Sequence, residues 1–137
     1  MVNRGIETEL VPYCQEHRKS ILAYSPLERG LLTGKLRPGH QFAEGDHRQY
    51  VSFFKGENIA RTNAFLQAIK PIADGHDLTI GQVVLLWTLE QPGITIALAG
   101  ARNSEQALQN AMAADKELTH NEIKIISEHL DKLELIA

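Results

Sequence analysis

The sequence has a single cysteine and a single tryptophan, and only 6% of its 137 residues are aromatic. One thiol, Cys14, cannot close an internal disulfide. No Cys or His pair has the tight spacing of a structural zinc site, so neither a cross-link nor a metal is expected to hold the fold. Long apolar runs are missing as well. Nothing approaches the ~18 apolar residues that a membrane span needs, and no apolar segment follows Met1-Val2-Asn3-Arg4, so no membrane partner and a cytoplasmic location are expected. Nor does charge of one sign dominate. With 14 Lys and Arg against 17 Asp and Glu, the net charge is -3 and the signs are mixed along the chain. Such a surface gathers no polyanion by counterion release, which argues against nucleic acid as a partner. The six histidines, His17, His40, His47, His76, His120 and His129, are scattered and are expected as surface or capping residues.

What the chain does have is ordinary globular material, 43% hydrophobic and 23% charged. Its length suits one domain, residues 1–137, that buries ~65 to 70% of the surface of the unfolded chain. Leu10, Tyr13, Cys14 and His17 recur at helical spacing and predict a short helix from Glu7 to Glu16, with Pro12 in its first turn. Ser20-Ile21-Leu22-Ala23-Tyr24 is too short for a helix and is closed by Ser25-Pro26, which predicts a buried strand. From Pro38 to Glu57 neither period is present, and a long surface loop is expected. Ile59, Phe65, Leu66, Ile69, Ile72 and Ala73 mark a helix of roughly fifteen residues, with Asn58 as candidate N-cap, Pro71 as a kink near its end and Gly75 as a stop. Thr79-Ile80-Gly81-Gln82 has capping-box spacing ahead of an apolar helix from Val83 to Leu89. After Pro92-Gly93, Ile94-Thr95-Ile96-Ala97-Leu98-Ala99 predicts a second buried strand. Ser104 is the candidate cap of a helix carrying Leu108 and Met112, and Thr119-x-x-Glu122 caps a last helix with Ile123, Ile126, Leu130 and Leu133 on one stripe. Helices alternating with two strands are the pattern of parallel β/α units.

Two stretches stand where such units bind ligands, just beyond the carboxyl ends of strands. In Ser25-Pro26-Leu27-Glu28-Arg29-Gly30, a hydroxyl, backbone N–H groups and a glycine follow the first strand, and Gly30 and Gly34 permit close approach of backbone to a pyrophosphate that Lys35 would neutralise. The stretch also fits a plain turn with a helix start. In Gly100-Ala101-Arg102-Asn103-Ser104, a glycine and an arginine precede a helix whose N-terminal N–H groups and positive dipole end favour an anion. Gln106 and Asn110 lie four apart on one face and could line a purine, or form a polar solvated face.

Together these stretches resemble the aldo-keto reductase family. Ala23-Tyr24-Ser25-Pro26-Leu27 with Gly30-Leu31-Leu32-Thr33-Gly34-Lys35 is similar to the family's seventh strand and its loop, and Gly100-Ala101-Arg102 with Gln106 and Asn110 to the loop and helix after the eighth. The likeness runs from about Val2 to Leu133, with Glu9-Leu10-Val11-Pro12-Tyr13-Cys14 as the sixth helix and Gly56-Glu57-Asn58 opening the long helix. It implies an α/β fold, a partial (β/α)8 barrel with two parallel strands near 20–24 and 94–99 and a majority of helix. It also implies an NADP(H) site, with NADPH favoured over NADH. Tyr24 would stack on the nicotinamide, while Ser25, Pro26, Leu27 and the backbone near Gly30 hold the pyrophosphate with Lys35 beside them. Gly100, Ala101, Arg102 and Gln106 would surround the 2′-phosphate. Asn110 would reach the adenine, with Gln109 standing where the family usually has a carboxylate.

In that family an Asp, Tyr, Lys, His tetrad lies on strands that precede the region covered here. The resemblance therefore implies a truncated barrel with no catalytic residue, which is an NADP-dependent oxidoreductase by family and inactive alone. Cofactor binding is expected to be weak, since each lost contact costs ~1 to 3 kcal/mol. Two parallel strands leave two open edges and are marginal alone. Either helices wrap them, or a second copy or a complementing chain covers them, which keeps open a non-catalytic nucleotide-binding or self-associating module.

Overall fold

The computed structural model describes residues 1–136. In chain order it contains α1 (Leu10–Glu16), β1 (Ile21–Tyr24), 3-10 turns at Glu28–Thr33, His47–Tyr50 and Ser52–Phe54, α2 (Gly56–Gly75), α3 (Ile80–Leu89), β2 (Ile94–Leu98), α4 (Ser104–Met112), a 3-10 turn at Ala113–Asp115 and α5 (His120–Asp131). Among the described residues, no helix is long and apolar enough to cross a membrane.

The core is helical and gathers on α3. The Thr79 hydroxyl accepts the Gln82 N–H at 3.2 Å and the Gln82 side chain accepts the Thr79 N–H at 2.8 Å, so the capping box expected from the sequence starts this helix. Val83 through Trp87 are then buried all round, against Phe65, Leu66 and Ile69 of α2 and Ile126 and Leu130 of α5. Each such side chain contributes about 1.5 to 3 kcal/mol on leaving water. Trp87 keeps its polar atom satisfied by donating from Nε1 to Ser127 Oγ at 3.0 Å.

Four local expectations are corrected. Helix α1 begins at Leu10 because residues 5–9 form turns. Helix α2 runs 20 residues with Pro71 inside it, and its N-cap is Lys55. Asn58 therefore lies within the first turn, with its amide turned to other segments. Helix α4 is capped by Asn103, whose Oδ1 accepts the Gln106 N–H at 2.9 Å, and Ser104 is the first helical residue. The long stretch after Leu36 is loop, as expected, but it is anchored by Phe54, which packs with Leu31, Leu36 and Ile59.

The fourth correction concerns the sheet. Strands β1 and β2 pair in parallel with Ile21 opposite Ile94, Leu22 opposite Ile96 and Tyr24 opposite Leu98, and the register shifts between Ile21 and Leu22. Thr95 is the extra residue, and its Oγ1 accepts the Ile21 N–H at 3.2 Å. This bulge moves Ile96 off the face of Ile94 and onto the face of Leu22 and Tyr24. Ile21 and Ile94 pack with Val11 and Cys14 under α1. The opposite face is open, with Leu22 50%, Tyr24 80%, Ile96 45% and Leu98 47% exposed. Both strands read as buried because a parallel sheet is normally covered on both faces; here helices cover only one.

Candidate functional site

The loop after β1 is held in an uncommon backbone conformation. Ser25, Glu28 and Arg29 have φ of 52°, 43° and 50°, and Gly30 has φ of 95°. Each non-glycine residue in the left-handed region costs roughly 1 kcal/mol or more, and such clusters mark ligand loops. The surroundings enforce the shape. The Leu27 carbonyl accepts the N–H groups of Gly30 and Leu32 at 3.1 and 3.2 Å, and Thr33 Oγ1 donates to the Gly30 carbonyl at 2.7 Å. Pro26, Leu31 and Leu32 are buried and anchor both ends of the turn, while Leu27 packs partly into the core. Lys35 is exposed at the end of the loop.

Beyond β2 the second loop is built by side-chain amides. Gln106 Oε1 accepts the Arg102 N–H at 3.0 Å, and Asn110 Nδ2 donates to the Gly100 carbonyl at 3.3 Å. Gln106 and Asn110 do share the face that their spacing predicts, and they use it to fold residues 100–102 over the helix N-terminus. Gly100, Ala101 and Arg102 are left exposed there. The Gln109 carbonyl accepts Gln82 Nε2 at 2.8 Å, which ties α4 to α3, and the Gln109 residue is otherwise exposed.

A third segment, unmarked by any periodicity, forms a bracket against the first loop. Asp46 accepts the Arg48 backbone N–H at 3.0 Å and its guanidinium Nη2 at 2.7 Å. Arg48 Nη1 also donates to the Arg29 carbonyl at 3.2 Å, and the guanidinium lies 4.8 Å from the centre of the Phe42 ring. The Arg48 hydrogen bonds lower the Asp46 carboxyl to about 2, and the charge of Arg102 adds to this. Sequence reasoning missed Asp46 and Arg48, whose only signal was an Asp-x-Arg spacing inside an unpatterned loop, and it gave Arg29 no role of its own within the stretch it singled out.

A groove of about 840 Å³ runs along β1 from Ile6 and Leu10 to the start of this loop. It brings together Tyr24, Ser25 and Pro26 with Glu28 and Arg29. Leu27, Gly30, Lys35, Gly100, Ala101, Arg102, Gln106, Gln109 and Asn110 lie outside its lining. The arrangement is a backbone turn with exposed cations on two adjacent strand ends, suited to binding phosphate groups. Among the described residues, no group of three or more His, Cys, Asp or Glu is placed to hold a metal ion.

The model of the aldo/keto reductase family matches residues 1–131. An NADH-specific methylglyoxal reductase of Escherichia coli (strain K12) is 30% identical over 134 residues, which is 98% of this chain and 40% of that protein. The aldo-keto reductase yakc [NADP(+)] of Schizosaccharomyces pombe is 30% identical, over 96% of this chain and 38% of the relative. Among solved structures, the glycerol dehydrogenase AKR11B4 from Gluconobacter oxydans superimposes with a TM-score of 0.86 at 29% identity, covering 98% of this chain and 42% of that one. The chain thus spans about 40% of the length of the curated relatives it matches, and its α/β fold is part of the barrel of these reductases.

Proposed function

The chain belongs to the aldo/keto reductase family, and from that premise we propose that residues 1–137 are the pyrophosphate and adenosine side of a nicotinamide cofactor site in an NADP(H)-dependent oxidoreductase. One observation carries the reading. Two adjacent parallel strands end in loops that place a strained backbone and an exposed arginine at the same end of the sheet, and the first of these loops is held from outside by Arg48. The residues fit the group: the turn from Ser25 to Gly30 suits a pyrophosphate, and Arg102, at the N-terminus of α4, suits the phosphate that separates NADPH from NADH. The relatives leave this choice open, since one is named NADH-specific and another NADP(+). Gln106 and Asn110 would serve the adenosine indirectly, by shaping residues 100–102, and Tyr24 would meet the nicotinamide from the open sheet face.

A bound nicotinamide supplies a hydride, and reduction of a carbonyl also needs a proton delivered to its oxygen. Tyr24 is 80% exposed on the open sheet face, and in this reading it serves the nicotinamide and not that proton. The chain alone is therefore expected to bind cofactor weakly and to turn nothing over. The test is NADPH oxidation with a panel of aldehydes and ketones; turnover at ordinary enzyme rates would reject the inactivity.

A second reading is favoured by the open face of Leu22, Tyr24, Ile96 and Leu98. It treats the chain as a non-catalytic nucleotide-binding module that associates with a second copy, or with a complementing chain, to cover its sheet. Sedimentation separates the cases: a stable monomer in dilute solution counts against self-association.

A further inference from the structure

Asn58 is fully buried in the first turn of α2. Its Nδ2 donates to the carbonyls of Ser52 and Ile136, both at 2.8 Å, and its Oδ1 accepts the Ile136 N–H at 2.9 Å. One side-chain amide thus satisfies both backbone groups of a single tail residue, as a neighbouring strand would. Arg61 Nη1 adds a hydrogen bond to the Glu134 carbonyl at 2.9 Å. The tail around Leu133–Ile136 is strapped across the start of α2 by its backbone.

The same amide also holds Ser52, in the segment that follows the bracket. Ser52 lies four residues beyond Arg48, and Arg48 donates to the Arg29 carbonyl in the strained turn. A short relay therefore joins the tail to the candidate pyrophosphate loop, passing from Ile136 through Asn58 to Ser52 and from Arg48 to Arg29. If the tail leaves, a buried N–H and a buried amide oxygen of Asn58 lose their partners. Such orphaned groups are costly, so the side chain re-orients or water enters, and the grip on Ser52 loosens with it.

We propose that Asn58 is a positioning residue for the cofactor loop, coupling the docked C-terminal tail to the order of residues 46–54. The functional consequence rests on the cofactor reading above, whereas the coupling itself does not. Because the amide reads backbone only, the identity of the tail side chain is expected to be unimportant and its N–H essential.

The experiment compares full-length chains carrying Ile136→Ala, Ile136→Pro and Asn58→Ala. The rate of native-state tryptic cleavage after Arg48 is measured against cleavage after Arg18, which lies far from the tail in the chain. Ile136→Pro, which removes the N–H, and Asn58→Ala are expected to speed cutting after Arg48 about 10-fold relative to the Arg18 reference, with Ile136→Ala within about 2-fold of the parent. Loss of mere apolar packing by the tail would instead make Ile136→Ala resemble Ile136→Pro. Cutting after Arg48 that is unchanged in Ile136→Pro overturns the proposal, even if Asn58→Ala fails to fold. Where the parent binds NADPH, Ile136→Pro is expected to bind it about 5-fold or more weakly, and equal affinity also overturns the positioning role. A parent that fails to bind NADPH at millimolar concentration sinks the cofactor reading, while the cleavage comparison still decides the coupling.

Discussion

Replacing Arg102 by alanine is the perturbation that most directly tests the nucleotide assignment. Arg102 is exposed, one residue ahead of the α4 N-cap, and its backbone is fixed by the 3.0 Å bond from its N–H to Gln106 Oε1. The substitution therefore removes a charge while leaving the loop's own bond intact. A charge-assisted hydrogen bond to phosphate is worth about 1.5 to 3 kcal/mol, and solvent screening at an exposed site places this one near the lower end. About 1.5 kcal/mol corresponds to roughly 10-fold in dissociation constant. NADH has no phosphate at the 2′ position, so its affinity is expected to change less than about 2-fold. Calorimetric titration of the parent and variant with both cofactors supplies the four constants. Repeating it in roughly 1 M salt, where the Debye length falls to about 3 Å, should shrink the NADPH effect. Equal losses for NADPH and NADH would refute the reasoning, because Arg102 would then be acting on the loop and not on a phosphate.

Three further outcomes are expected. Gly30→Ala has space for its Cβ, with the nearest atom 3.9 Å away, but φ is +95°; it should cost about 1 to 2 kcal/mol from backbone strain alone, read as a lower urea midpoint at unchanged slope. Asp46 has its folded carboxyl lowered from 3.8 to about 2, so the contribution of the Asp46–Arg48 pair is fully present above the unfolded value and is lost as pH falls through that window; a carboxyl NMR titration that returns an ordinary aspartate value would contradict the Arg48 geometry. The 2′-phosphate ester of ADP-ribose, which keeps the pyrophosphate and the 2′-phosphate but lacks nicotinamide, should bind within about 3-fold of NADPH, and a much larger gap in favour of NADPH would mean that the nicotinamide end is gripped here after all.

The helical elements were legible because capping and periodicity are local. Thr79 with Gln82 and Thr119 with Glu122 both form the reciprocal boxes that their spacing predicts, and Phe65, Leu66, Ile69, Val83 and Ile126 are buried as their stripes require. The strands were legible as strands but not as half-exposed ones, since Ile, Leu and Ala in short runs look alike whether one face or two are covered. The phase change at Thr95 was equally silent, because a bulge is defined by the partner strand. Asn58 carries the same lesson. An asparagine near a helix start reads as a cap, whereas its partners, Ser52 and Ile136, are six and 78 positions away, and long-range backbone contacts leave no periodicity. Asp46 and Arg48 escaped for a related reason: their role depends on Arg29, 19 residues away from Arg48 in a loop without pattern.

The two halves of the candidate site differ in what supports them, and this decides where binding energy can reside. The pyrophosphate turn hangs from Leu31 and Leu32, which are 1% and 0% exposed, and both belong to clusters built with helix α2. The second loop is tied to α4, and α4 to α3 through the Gln82–Gln109 bond. Neither anchor depends on the two-stranded sheet. Tyr24 has the opposite situation, because it projects from the uncovered sheet face with Leu22, Ile96 and Leu98 and has little beside it to hold a ring in place. A stacking contact needs an ordered partner and a second wall, since the gain from one ring face must exceed the entropy of fixing both groups. The phosphate-facing loops are therefore pre-organised by the helical core, and the nicotinamide-facing residue is not. Whatever affinity this chain has for a dinucleotide should be concentrated in its phosphates, and covering the open sheet face would add the ordered wall that Tyr24 lacks.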